Sequence, residues 1–133
     1  MMFETIDCRT MTDDVAVTRP RAGMAPPVLD LAHLRVYTLG MADLEREILG
    51  LFLEQLPKSH AALLASETAK DWHMAAHTLK GSALAVGAKR LAGAGAAAEA
   101  TDCTNDRARR AMLDQVVEAI ADVRAEILRQ DLI

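Results

Sequence analysis

From Asp30 onward, apolar residues recur at three- and four-residue intervals almost to the end of the chain, the spacing of amphipathic helices. Asp30 can cap a short first helix, Leu31 to Leu39, closed by Gly40. A second is predicted from Met41 or Ala42 to about Ser66, with Leu44, Ile48, Phe52, Leu56, Leu63 and Leu64 as its apolar side. Pro57 falls inside it and should kink it or break its hydrogen-bond ladder locally. A third runs from about Thr68 to Val86, where Gly87 ends it, and a fourth from Ala88 to about Cys103. The fourth is rich in alanine and glycine, so its backbone can approach its neighbours closely. Thr104-Asn105-Asp106 caps the last helix, whose stripe reads Met112, Val116, Ile120, Val123 and Ile127. Four long helices joined by short loops bury their stripes most simply as an antiparallel up-and-down four-helix bundle, an all-α fold with the short N-terminal helix across one end. Residues 1–27 carry no sustained periodicity and hold three of the four prolines. They read as a flexible leader ahead of a single domain, 28–133.

Composition supports this picture and narrows the function. The chain has 133 residues, 51% of them hydrophobic, enough for one domain with a proper core. Only four residues are aromatic (Phe3, Tyr37, Phe52, Trp72) against 25 alanines, which disfavours a sandwich or barrel. A net charge of −4 argues against nucleic acid as a partner, since phosphate contacts need a basic face. No apolar run approaches the roughly 18–20 residues that cross a bilayer. Met1 to Thr12 lacks the pattern of a secretion signal, and Cys8 and Cys103 read as free thiols. The expected location is the cytoplasm.

The third helix carries the chemistry. At about 100° per residue, Trp72, Ala75, Ala76, Leu79, Ala83 and Val86 form one core-facing stripe, and His77 lies about 150° from its centre. This imidazole should face solvent. His73, Lys80, Gly81 and Leu84 stand three, four or seven positions away and share its face. Lys80 brings a cation one turn on, and Gly81 leaves a gap there. A helical glycine costs roughly 0.5–1 kcal/mol relative to alanine, so a purely structural helix has little use for it. Leu84 adds an apolar rim. An exposed imidazole, a cation, a cleared space and an apolar edge describe a docking site for a protein that delivers an anion. A neutral imidazole, with an ordinary pKa near 6.5, keeps a lone pair free to accept a phosphoryl group. The chain has no phosphate-binding glycine loop and no evident magnesium-binding acidic cluster, so the group must arrive from and leave to partners.

At these residues the chain resembles the histidine-containing phosphotransfer (HPt) domains of multistep two-component relays. The likeness rests on Ala76-His77-Thr78-Leu79-Lys80-Gly81-Ser82, followed by Gly87-Ala88 and Leu91, and extends by helix order over about Val28 to Ile133. The resemblance implies His77 as phosphoacceptor at Nε2, Lys80 as the group steadying the phosphoryl, and Gly81 as clearance for the receiver's active site. Glu99 matches a place where some relatives carry a glutamine that bonds the imidazole. A glutamate there departs from that pattern and would accept from Nδ1, fixing the tautomer. The implied partners are receiver domains and a hybrid sensor kinase. The implied protein is a monomeric phosphocarrier with no kinase activity and no cofactor of its own, with Mg²⁺ supplied by the receiver.

Other readings are weaker. His73 and His77 have the i, i+4 spacing of two metal ligands, but the pattern suggests no third, so His73 reads as a rim residue of the receiver-docking surface together with Leu84. Arg107, Arg109 and Arg110 read as a solvated face. A dimerising sensor-kinase module would follow the histidine with an acidic residue and a nearby proline, whereas Thr78 follows His77. A helical adaptor without phosphotransfer would have no need of the histidine.

Overall fold

The computed structural model describes residues 26–133. Over these the chain forms five helices: α1 (Leu31–Thr38), α2 (Ala42–Ala65), α3 (Ala69–Val86), α4 (Lys89–Glu99) and α5 (Asp106–Arg129), with no strand among the described residues. The starts follow cap chemistry. Asp30 accepts from the His33 amide, Thr68 from Asp71 and Asn105 from Ala108, each satisfying a first-turn donor that has no partner within the helix. Between α1 and α2 the chain turns through two successive left-handed residues, Leu39 (φ 54°) and Gly40 (φ 76°).

Helices α2 to α5 form a ring in which each packs on the next and α5 closes onto α2, while α1 lies against α2 and α3. The directions alternate. Trp72, near the start of α3, reaches Ala98 near the end of α4, and Arg109, near the start of α5, reaches Leu63 and Leu64 at the end of α2. The antiparallel bundle with an extra short helix is therefore the observed fold. Gly87 is required at the α3–α4 turn twice over. Its φ is +83°, and a Cβ there would stand 2.5 Å from the Asp30 carbonyl oxygen, whose own amide donates to Gly87 O.

Several local expectations change. On α2 the buried apolar residues are Leu49, Phe52, Leu53, Leu56 and Leu63, while Leu44 and Ile48 are half-buried and Leu64 is exposed. Positions four apart rotate about 40° per step, so a run read at that spacing drifts off the core face. Pro57 sits on the exposed side, and α2 runs past it as one helix, without the one amide bond that a proline cannot donate. Helix α4 stops at Glu99 instead of Cys103. Thr101 donates to the Ala97 carbonyl, and Asp102 accepts from the Thr104 amide and hydroxyl, local bonds that compete with further helix. The expected leader lies largely outside the described residues, but its last two residues are anchored. The Pro26 and Pro27 carbonyls accept from Arg90, at the start of α4.

Arg109 is not a solvated charge. Its guanidinium donates to the Leu63 and Leu64 carbonyls and lies 4.9 Å from the centroid of the Trp72 ring. Trp72 is 1% exposed, and its indole N–H donates to Ala98 O at 2.7 Å. These contacts fasten α2, α3, α4 and α5 at one end of the bundle. At the other end, buried Glu45 accepts from Arg35 and Thr38 and ties α1 to α2.

Candidate functional site

The face of α3 opposite its core stripe carries the site. Of the predicted stripe, Trp72, Ala76, Leu79, Ala83 and Val86 are buried and Ala75 is half-buried, and the His77 side chain is 65% exposed. His73 and His77 stand one turn apart with near-parallel rings, 11° between planes and 6.3 Å between centroids. With Met74, Thr78 and Glu99 they line a shallow depression of about 250 Å³. Met74 and Leu84 are exposed apolar side chains along the same helix.

The third element is Glu99, the last residue of α4. It reaches this face because α4 approaches α3 closely at Gly95. A Cβ on Gly95 would lie 3.1 Å from the Lys80 Cα and backbone nitrogen. One turn further along α4, the Glu99 carboxylate divides between its neighbours. Oε1 accepts from Lys80 Nζ at 2.7 Å and Oε2 bonds His77 Nδ1 at 2.8 Å, while His73 Nε2 lies 3.3 Å from Oε2. The Glu99 side chain is 15% exposed under this cover.

The electrostatics follow from these contacts. The Lys80 ammonium first, and the His77 hydrogen bond second, hold the Glu99 carboxyl below the usual carboxylate range. An ionised carboxylate has no proton to give, so His77 Nδ1 must carry the hydrogen. In the neutral ring the lone pair is then on Nε2. A carboxyl depressed in the folded state stabilises above its unfolded pKa, and that contribution is lost as pH falls through the lower folded value. The urea-midpoint difference between the wild type and Glu99→Gln should thus shrink as pH falls below the ordinary carboxylate range. A difference that grows as pH falls through that range would contradict this assignment of charge.

The structure brings together His73, His77, Lys80 and Glu99. Gly81 and Leu84 lie one and two turns along α3 from His77 and do not touch the carboxylate. Glu99 is also a further metal-ligand type beside the two histidines, one that the spacing on α3 alone did not suggest. Among the described residues, however, no set of three or more His, Cys, Asp or Glu side chains is arranged to hold a metal ion. Gly95 was legible only as part of a small-residue helix. Its particular role depends on which turn of α3 it meets.

A family model for the Hpt domain matches residues 47–128, more than half of the chain, from the first turns of α2 to the end of α5. The chain belongs to the Hpt domain family. It has the family's histidine phosphotransfer role in two-component signalling. Searches of curated proteins and of solved structures give no match. No helix among the described residues is long and apolar enough to cross a membrane. The Hpt match takes in the whole of α3 and α4, and so His73, His77, Lys80, Gly81 and Glu99 together.

Proposed function

We propose that this Hpt domain relays a phosphoryl group between receiver-domain aspartates through His77. The observation that carries the reading is the exposed imidazole whose Nδ1 is bound to an acceptor-only carboxylate, leaving the Nε2 lone pair for an incoming electrophile. Nε2 attacks the phosphorus of the receiver's aspartyl phosphate. The N–P bond forms as the P–O bond to the carboxyl breaks, and the aspartate leaves as carboxylate. Nδ1 keeps its proton, so the phosphorylated ring carries positive charge that Glu99 offsets. Transfer to a second receiver reverses the same steps, with no net proton taken up or released by this chain.

Each matched residue has a part in this scheme. Lys80 holds Glu99 and adds positive charge beside the arriving phosphoryl group. His73 and Leu84, with Met74 between His73 and His77, form the docking rim. The receiver contributes Mg²⁺ and the remaining catalytic groups, and a hybrid sensor kinase is the upstream source. The domain acts as a cytoplasmic monomer without kinase activity of its own.

Gly81 supports the docking scheme by what it lacks. A Cβ added there meets nothing within 4 Å among the described residues, so no packing among them calls for glycine. Replacing it with leucine should raise helix propensity yet slow transfer by about 10- to 100-fold, because misplacing the reacting groups by an ångström costs that much. Circular dichroism and single-turnover transfer rates check the two halves; undiminished rates would remove the clearance role. The relay itself is tested by mixing the protein with a phosphorylated receiver and following acid-labile, base-stable label onto this chain and then onto a second receiver. Label that never reaches the chain overturns the proposal.

A further inference from the structure

We infer that His73 is a positioning residue for the reaction at His77, acting through Glu99; this rests on the reading of His77 as phosphoacceptor. Glu99 ends its helix on a flexible side chain, yet the reaction needs its Oε2 to stay on His77 Nδ1. Lys80 claims Oε1 at 2.7 Å, and on its own would let the carboxylate turn about that contact. His73 Nε2 stands 3.3 Å from Oε2, on the side of α3 one turn before His77. It therefore limits the swing of the oxygen that His77 uses.

The approach, at ion-pair distance without hydrogen-bond alignment, also favours complementary tautomers. Facing a carboxylate oxygen, the neutral His73 ring is favoured with its proton on Nε2, and its bare nitrogen is Nδ1. His77 presents Nδ1–H to the same oxygen and keeps Nε2 bare. Two near-parallel rings one turn apart thus present opposite edges to one oxygen. His73 itself is a poor acceptor of the phosphoryl group, since the residue one turn beyond it is His77, where His77 has Gly81. Its exposed ring offers a partner a surface as well, but that is a separate property: docking alone would leave the tautomer of His77 untouched.

The experiment uses the full chain with ¹⁵N-labelled histidine rings, in the wild type, His73→Ala and His73→Gln. The glutamine amide can supply an N–H at about the reach of Nε2, whereas alanine cannot. At a pH where both rings are neutral, the wild-type His77 should give the ¹⁵N pattern of a ring protonated on Nδ1. His73→Ala should shift it toward a mixture of tautomers, and His73→Gln should restore it. Transfer from a saturating phosphorylated receiver should fall about two- to tenfold in His73→Ala, as expected for one lost polar contact, and recover in His73→Gln. An unchanged His77 ring pattern in His73→Ala overturns the inference, whatever the transfer rate does. If the ring pattern responds but wild-type His77 takes no label, the positioning contact stands and the reading of His77 as phosphoacceptor fails.

Discussion

His77→Gln is expected to carry no acid-labile label after incubation with a phosphorylated receiver, a loss of at least about a thousandfold relative to the wild type. Glutamine suits this test because it removes the nucleophilic ring nitrogen while keeping an amide N–H that can reach Glu99. The fold should not notice. His77 is 65% exposed, and among the described residues its short polar contact is with Glu99, so the change in stability should stay within about 0.5 kcal/mol. Thermal melting of the variant beside the wild type separates a chemical loss from an unfolded sample. Label appearing on the variant at the wild-type rate would remove His77 from the reaction. Mapping such a label to His73 would move the site by one turn of the same helix.

Trp72→Ala should be the most destabilising single change in α3, by about 3–5 kcal/mol. Three losses add at one place. A fully buried ring leaves a cavity, the Ala98 carbonyl loses its indole donor, and Arg109 loses the aromatic face over which it lies. Against a typical stability of 5–15 kcal/mol, the melting temperature should fall by about 10–20 °C. Trp72→Phe separates the contributions, because it retains most of the volume and loses only the hydrogen bond. Its expected cost is about 1–2 kcal/mol. The functional corollary is specific: Ala98 directly precedes Glu99, so the same bond that secures the core also fixes where α4 delivers its carboxylate. A Trp72→Ala protein that melts within a few degrees of the wild type would show that this junction is not where the bundle draws its stability.

Much of this architecture could be read from residue types. The caps at Asp30, Thr68 and Asn105 mark where three helices begin, and Gly87 marks the end of α3, because each depends on chemistry within a few residues. The α3 stripe was equally legible, since Trp72, Leu79 and most of the alanines gather on one side. Helix α2 was harder to read. It has leucine or another apolar residue on several sides, and periodicity alone does not say that Leu49 and Leu53 are buried while Leu64 is exposed. The early end of α4 came from Thr101 and Asp102 bonding their own neighbourhood, a competition that alanine-rich sequence on the N-terminal side conceals. Arg109 looked like one of three equivalent surface charges until α2 supplied the carbonyls it caps.

The amino-acid sequence by itself determined that His77 stands outward on a helix with Lys80 and Gly81 one turn on, because those relations repeat every 3.6 residues and need no second element. Apart from the resemblance, which pointed to Glu99, only the tertiary structure decided what that imidazole touches. Glu99 is 22 residues away in the chain, and no local rule connects it to His77. The connection exists because Gly95 lets α4 settle against the backbone of Lys80, and that close approach sets the carboxylate where Lys80, His73 and His77 all reach it.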